Sequence, residues 1–234
     1  MKHIATLFFL LAFASVNAQI SLTEGKVFYD ISYQNLAPEM KRNEHMMPHD
    51  ASFYFSGNKT RLEMGVAGMG KNSTLYDRLK KETIVLLYLK GKKFALVQSD
   101  SSMAAIRNLS LADSSKKNFS IEITNEYKII CEHKCRKAIV HKTELGISRT
   151  NECWYTADIA PYNTENDPIL KGIEGFMLEY TMGENGTTMH LKAKMILPVP
   201  IDKSLFEIPS SYQIVNEKEL TLLLSVMQNP SGGQ

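Results

Sequence analysis

The feature that most restricts the fold of this chain is a series of short alternating segments joined by tight polar turns. The segments ASFYFS and KTRLEM flank Gly57 and Asn58, residue types that tolerate the positive φ angles of tight hairpin turns. Two further pairs of segments flank glycine-containing turns at residues 90–92 and 183–186. Because strands joined by a tight turn run antiparallel, the sequence predicts a largely antiparallel sheet.

The individual strands are predicted from period-two alternation of apolar and polar residues. In the segment 26–34, KVFYDISYQ, the residues Val27, Tyr29, Ile31 and Tyr33 fall on one face. Other predicted strands cover residues 51–56, 59–64, 72–78, 83–89, 93–97, 119–124, 176–182 and 188–197. With the central segment described below, this gives about 9–11 strands, and the fold class is mainly β: a curled antiparallel sheet or half-open β-barrel with one or two covering helices.

Two segments are predicted as helices or helix candidates. Asn216 followed by Glu219 resembles a capping box, which predicts a helix over residues 217–227. The segment 100–113 is either a short helix or a loop, since its apolar positions are flanked by many serines and asparagines. The predicted organisation is a single β-rich domain over residues 19–228 followed by a disordered tail, 229–234.

The N-terminus has the pattern of a secretory signal. Lys2 precedes an apolar run, IATLFFLLAF, and a small-residue segment ends in Val-Asn-Ala before Gln19. This pattern predicts a signal peptide over residues 1–18, with cleavage between Ala18 and Gln19. The mature chain has no apolar stretch of the roughly 20 residues that a transmembrane helix needs, so the predicted location is periplasmic or secreted.

The segment Tyr127–Ile159 holds all three cysteines and the single tryptophan, and it is predicted as a central hairpin. If the turn centres near Leu145 and Gly146, Cys153 faces the region of Ala138. Oxidising compartments favour disulfides, so Cys135–Cys153, brought together by a bulge or register shift, is the first candidate bond and Cys131–Cys153 the alternative, which leaves one thiol over.

A metal site is a weaker alternative reading of the same segment. Cys131, His133 and Cys135 are spaced i, i+2, i+4, which on one extended strand places their side chains on one face. Their ligand types suit zinc or copper. Structural zinc sites usually contain two such cysteine pairs, however, and this chain has one. The sequence predicts no metal and no cofactor.

Charge and motifs exclude several functions. The chain has 27 Lys and Arg against 25 Asp and Glu, without the concentrated cationic charge that nucleic-acid binding requires. It lacks a G-x-S-x-G nucleophile elbow and a phosphate-binding glycine loop with the required Lys-Ser/Thr ending. The sequence therefore predicts a non-enzyme with no catalytic residues.

Several phrases, in this order and spacing, resemble a family of secreted bacterial proteins of unknown function, the DUF4412 proteins. The matching phrases are EGKVFY at 24–29, GNKTRLEM at 57–64, KII at 128–130, CRKA at 135–138, WYT at 154–156, DI at 158–159, GIEG at 172–175, LE at 178–179, LFEIP at 205–209 and Tyr212. The chain departs from the family pattern at Glu132 and His133, where a Gly-Tyr pair tends to precede the cysteine.

The DUF4412 proteins are in turn similar to the lipoprotein-carrier (LolA/LolB-like) fold. The resemblance implies a LolA-like curled sheet whose concave face accepts acyl chains, and it implies no catalysis. The expected function is extracytoplasmic binding of a lipid, acyl chain or other amphiphile. The alternative is an envelope structural or protein-interaction module. The candidate apolar pocket lining consists of Phe53, Phe55, Leu62, Phe94 and Leu191.

Overall fold

A computed structural model of the chain describes residues 21–66, 70–89, 91–101, 117–144, 147–163, 170, 172–184 and 187–228. The predicted signal peptide with Ala18 and Gln19, the tail 229–234 and most of the ambiguous segment 100–113 lie outside the described residues. No helix in the described part is long and apolar enough to cross a membrane.

The described residues form a mainly β structure with twelve strands in one sheet. The strands are β1 (Glu24–Gln34), β2 (Asp50–Ser56), β3 (Lys59–Val66), β4 (Gly70–Asp77), β5 (Glu82–Leu89), β6 (Lys92–Ser99), β7 (Lys117–Ile130), β8 (His133–Glu144), β9 (Ile147–Thr156), β10 (Phe176–Glu184), β11 (Thr187–Leu197) and β12 (Gln213–Val215). The helices are α1 (Pro38–Arg42) and α2 (Glu217–Gln228), with short 3-10 helices at Glu44–Met46 and Lys203–Phe206.

The strand order is β12-β6-β5-β4-β3-β2-β1-β11-β10-β9-β8-β7. The predicted hairpins β2–β3, β5–β6 and β10–β11 are confirmed, and the sheet is antiparallel except where β12 pairs in parallel with β6. The two end strands, β7 and β12, do not pair with each other, so the sheet is curled but unclosed. The count of twelve is one more than the predicted range, because the three-residue β12 carries no alternation signal.

The two faces of the sheet follow from the register, because directly paired residues point to the same side. On the face that we call the inner face, Tyr29 pairs with Ala51 and Ala193, and Val27 pairs with Phe53. The opposite side, the outer face, carries the alternate residues, including Asp30 paired with Lys192.

Ring contacts on the inner face show how strongly the sheet is curled. Phe53 in β2 and Phe176 in β10 have ring centroids 5.2 Å apart, although β1 and β11 lie between their strands. Three strand spacings in a flat sheet would span about 14 Å. The sheet must therefore bend toward the inner face, which makes that face concave.

The outer face of β3 and β4 carries a buried ion-pair network. Glu63 is 8% exposed, and its carboxylate accepts hydrogen bonds from Arg61 at 2.9 Å and Lys71 at 2.7 Å. Arg61 also donates to Ser73 Oγ and to the carbonyl of Leu205, both at 2.9 Å. Because Leu205 belongs to the connection after β11, this network fastens that connection across the outer face.

The turn between β7 and β8 corrects one prediction from the sequence. Ile130 pairs with His133, so Cys131 and Glu132 form a two-residue turn, with φ angles of 47° and 68°. Such a turn needs positive φ at both central residues. The assumption that Cys131, His133 and Cys135 share one strand face is therefore wrong, since Cys131 is not in a strand.

The C-terminal helix forms as predicted. The Asn216 side chain accepts a hydrogen bond from the Glu219 amide at 3.0 Å, and the Glu219 carboxylate accepts one from the Asn216 amide at 2.9 Å. This reciprocal pair is a capping box. It starts α2 directly after β12 and directs the helix onto the inner face of β5 and β6, where Leu220 packs against Phe94 and Leu96.

Candidate functional site

The inner face carries a large apolar cluster on one half of the sheet. Phe55 and Phe176 are fully buried and Phe53 is 8% exposed, with the Phe55 and Phe176 ring centroids 5.8 Å apart. Tyr29 is also buried, and its hydroxyl donates a 2.8 Å hydrogen bond to the carbonyl of Met177. Burial raises the pKa of Tyr29 well above its ordinary value, so the phenol is a fixed neutral donor.

A second apolar cluster covers the inner face at the opposite end of the sheet. Phe94, Leu96, Val215 and Leu220 form its buried part. Helix α2 supplies Leu220, and β12 supplies Val215. The second cluster is therefore built by the C-terminal segment folding back over β5 and β6, and the hairpins alone would leave this surface uncovered.

Between the two clusters lies a strip of the inner face that we call the inner groove, defined by Leu62, Met64, Thr74, Val85 and Leu87. Leu62 pairs with Thr74, and Thr74 pairs with Val85. Thr74 is exposed, whereas its four apolar neighbours are only partly buried. Leu62 and Met64 pack against the first cluster, and Val85 and Leu87 against the second. An apolar strip of the inner face thus remains accessible at its centre.

The five residues predicted to line an apolar pocket all map to the inner face, but they do not form one group. Phe53, Phe55 and Leu191 are buried in the first cluster, and Leu62 packs against its edge. Phe94 lies in the second cluster beneath α2. Leu62 is the one member of this set that also belongs to the inner groove. Sequence reasoning missed Thr74, Val85 and Leu87, whose alternation gives no sign that this part of the face stays uncovered.

Cys131, Cys135 and Cys153 form no disulfide bond with one another in this structure. Cys135 and Cys153 are buried, while Cys131 in the turn is partly exposed. Burial raises the pKa of the Cys135 thiol to about 12 and also raises the pKa of Cys131. Since the thiolate is the reactive form, neither group is activated as a nucleophile.

The register separates the two cysteines of the first candidate disulfide. Cys153 pairs with Ala138, as the sequence predicted, which places Cys135 three residues away along β8. At about 3.3 Å per residue this offset is about 10 Å, whereas bonded cysteines have Cα atoms about 4.4–6.8 Å apart. Cys131 lies farther still from Ala138, the residue that pairs with Cys153. Either bond to Cys153 stays a prediction that requires a change of register.

The Cys and His residues do not assemble into a metal site in the described part of the chain, where no three metal-ligating side chains cluster. His133 instead lies beside a carboxylate, with its Nδ1 3.1 Å from Asp158 Oδ2. This pair connects the start of β8 to the segment after β9. The turn removes Cys131 from the strand that carries His133 and Cys135, so these three side chains do not share one strand face.

Comparison with known proteins gives structural similarities alone. No protein-family model matches the chain, and no curated protein sequence matches it. The resemblance to DUF4412 proteins therefore stays a prediction.

Three solved structures are similar to parts of this architecture. PNGF-II is 16% identical with a TM-score of 0.49, covering 88% of this chain and 33% of its own, so this chain spans about a third of that protein. The Mycobacterium tuberculosis lipoprotein LppX is 11% identical with a TM-score of 0.38, and the match covers 77% of this chain and 90% of LppX. A β-barrel-like DUF1849 protein from Brucella abortus is 9% identical with a TM-score of 0.35, and the match covers 76% of this chain and 98% of the Brucella protein. Identities and scores this low assign neither a ligand nor an activity to this chain.

Proposed function

We propose that this chain is a non-catalytic extracytoplasmic binding protein that holds an acyl chain or another amphiphile in the inner groove. The observation that carries the proposal is the exposed Thr74 between four partly buried apolar side chains on a concave face. Apolar concave surfaces with few polar groups are the usual form of sites for hydrophobic ligands.

The chemistry of the inner groove suits a flexible hydrocarbon ligand. Leu62, Val85 and Leu87 offer aliphatic contacts, and Met64 adds a pliable thioether that adapts to ligands of different shape. Each methylene removed from water contributes about 0.8 kcal/mol, so a chain of several methylenes would bind without a charged anchor. The Thr74 hydroxyl is the polar group at the centre.

The cellular setting of the proposal rests on the sequence. A signal peptide over residues 1–18 would export the chain to the periplasm or the exterior. A LolA-like role in a DUF4412-type family, as the matching phrases imply, agrees with a soluble receptor for hydrophobic molecules.

The direct test is lipid analysis combined with a groove-filling variant. Solvent extracts of the purified full chain are analysed by mass spectrometry, and binding of a dansylated C11 fatty acid is then titrated. Thr74→Phe fills the centre of the groove. If the new ring displaces about two methylenes of the ligand from the groove, at about 0.8 kcal/mol each, the affinity for the dansylated fatty acid should fall about tenfold.

The matched control is Ser120→Phe, which introduces the same side chain at an exposed residue of β7 outside the inner groove. It should bind the dansylated fatty acid as the parent chain does. Equal affinity of Thr74→Phe and the parent chain, or the absence of any bound or titratable amphiphile, would contradict the proposal.

A second candidate function, an envelope protein-interaction module, is favoured by the edge strand β7. This strand ends the sheet and is fourteen residues long, and it leaves Tyr127 51% and Ile129 67% exposed. Unpaired edge strands are ready templates for a partner strand. A photo-crosslinking residue placed at Ile129 should capture a defined envelope protein if this function holds, and the same residue at exposed Leu222 in α2 serves as control.

A further inference from the structure

A groove of about 380 Å³ lies on the outer face, remote from the inner groove, and we call it the outer groove. It crosses four neighbouring strands, β1, β11, β10 and β9. Because all four strands belong to the hydrogen-bonded sheet, the backbone beneath the groove is rigid. Sites built on such elements hold their side chains more accurately than sites on loops.

One end of the outer groove is formed by Trp154 and Glu179, which pair across β9 and β10. The Lys128 ammonium lies 4.2 Å from the Trp154 ring centroid and 2.9 Å from Glu179 Oε1, so one cation fixes both side chains. His190 lies 3.6 Å from the same carboxylate. Burial raises the pKa of Glu179, but Lys128, Lys192 and His190 lower it more, and the net pKa lies below its usual value.

Much of the rest of the outer groove is lined by amides and hydroxyls for which the described residues supply no side-chain hydrogen bond, whereas the Thr188 hydroxyl donates to the carbonyl of Gln34 at 3.4 Å. The side chains concerned are Gln34, Asn35, Thr150, Asn151 and Thr181. Within the part of the chain that the structure describes, none of these five side chains makes a hydrogen bond. Glu179 Oε2 is buried and accepts no hydrogen bond from the described residues, with the Lys192 ammonium 3.7 Å away. The groove therefore presents an array of donors and acceptors on a fixed backbone.

The charge of the outer groove is nearly balanced. Glu179 is paired as described above, and the other lining carboxylate, Glu152, lies 2.8 Å from the Lys137 ammonium. A strongly anionic or cationic ligand would have to displace one of these pairs. A neutral ligand that both donates and accepts hydrogen bonds fits the unpaired amides and hydroxyls directly.

We infer that the outer groove is a binding site for a neutral carbohydrate. Sugar hydroxyls both donate and accept, which matches the lining amides and threonines. The C–H face of a sugar ring can lie against the part of the partly exposed Trp154 ring that Lys128 and Lys137 leave uncovered, since their ammonium groups lie 4.2 and 5.8 Å from the ring centroid. This site is independent of the inner groove and gives the chain a second ligand of different chemistry.

The experiment uses Trp154 as its own reporter, since it is the only tryptophan in the chain. The full chain is titrated with cellotriose, maltotriose, mannotriose and chitotriose while tryptophan emission is recorded. At least one saccharide should give a saturable change. A weak complex has a dissociation constant in the millimolar range. If the emission change saturates with none of the four saccharides up to about 10 mM, the inference is overturned.

Isosteric variants keep the test specific to the groove. Thr181→Val removes one hydroxyl from the lining and should raise the dissociation constant about three- to tenfold, the effect of one net hydrogen bond. Thr83→Val makes the same change at a half-buried strand threonine outside both grooves and should bind normally. Equal affinity of Thr181→Val and the parent chain would place the saccharide elsewhere and overturn the inference.

Two further measurements separate this site from other ligands and from the inner groove. Trigalacturonic acid or a tripeptide binding more tightly than every neutral trisaccharide would refute a neutral carbohydrate site. Thr74→Phe should retain saccharide binding even if it loses the dansylated fatty acid. Loss of saccharide binding in Thr74→Phe would contradict the independence of the two sites.

Discussion

The inner and outer faces of the same strands are stabilised by different physics. On the inner face, Phe55 and Phe176 are removed from water altogether and meet through ring contacts. On the outer face, Glu63 and Glu179 are largely buried but remain ionised beside cationic partners. The phenylalanine packing of the inner face does not titrate, whereas the ion pairs of the outer face respond to acid, and each face can be perturbed separately.

The largest expected effect comes from removing an inner-face ring. Phe176→Ala should lower the free energy of unfolding by about 3–5 kcal/mol, because it loses the apolar transfer energy and leaves a cavity between Phe53 and Phe55. Phe119→Ala, at a residue that is 37% exposed on β7, should cost less than about 1 kcal/mol. Urea denaturation of both variants gives the comparison. Equal losses would show that the inner cluster does not dominate stability.

A smaller effect is expected from the outer-face carboxylates. Burial raises the pKa of Glu63, but Lys71 and Arg61 lower it more, so its pKa in the folded protein lies below the ordinary 4.5. Its stabilising contribution is therefore complete above about pH 4.5 and is lost as the pH falls through the folded pKa. Glu63→Gln should destabilise the protein by about 1–3 kcal/mol at pH 7.

The pH dependence separates this effect from simple loss of packing. Denaturation midpoints measured between pH 7 and pH 3 should fall less steeply in Glu63→Gln than in the parent chain. Glu39→Gln, at an exposed residue of α1, should keep the slope of the parent chain. An unchanged slope in Glu63→Gln would mean that the outer network does not carry the acid sensitivity.

The smallest perturbation is chemical modification of the thiols. In native protein, iodoacetamide should label Cys131 alone, slowly, because its thiol is only partly exposed and burial raises its pKa. Cys135 and Cys153 should react only after unfolding, so that three labels appear in denaturant. Finding one label in denaturant without reductant would instead establish a disulfide and a register different from the one described.

Local turn chemistry explains which parts of the fold the sequence predicts well. Gly57 and Asn58 form the turn between β2 and β3, as predicted, and Asn216 with Glu219 starts α2 where expected. The turn at Cys131 and Glu132 was missed because neither residue is a usual carrier of positive φ. The failure is informative, since it led directly to the wrong assumption that Cys131, His133 and Cys135 share one strand face.

Non-local strand pairing explains why other parts of the fold and of the two grooves cannot be predicted from the sequence. Alternation correctly assigns Phe53, Leu62 and Leu191 to one face, yet it cannot show that Phe94 belongs to a separate cluster. That separation depends on α2 returning from residue 217 and on β12 pairing in parallel with β6. The outer groove likewise joins Gln34 to Trp154 across three strand-to-strand contacts, and no periodicity in the sequence encodes that distance.

The unpaired ends of the sheet have a mechanical consequence. In a closed barrel, strand number and stagger together fix the diameter. Here β7 and β12 leave the circumference unset, so the width of the concave side depends on how Phe53, Phe55 and Phe176 interlock. The width of the concave side is thus a property of side chains, and substitution can widen or narrow it without breaking a single ladder hydrogen bond.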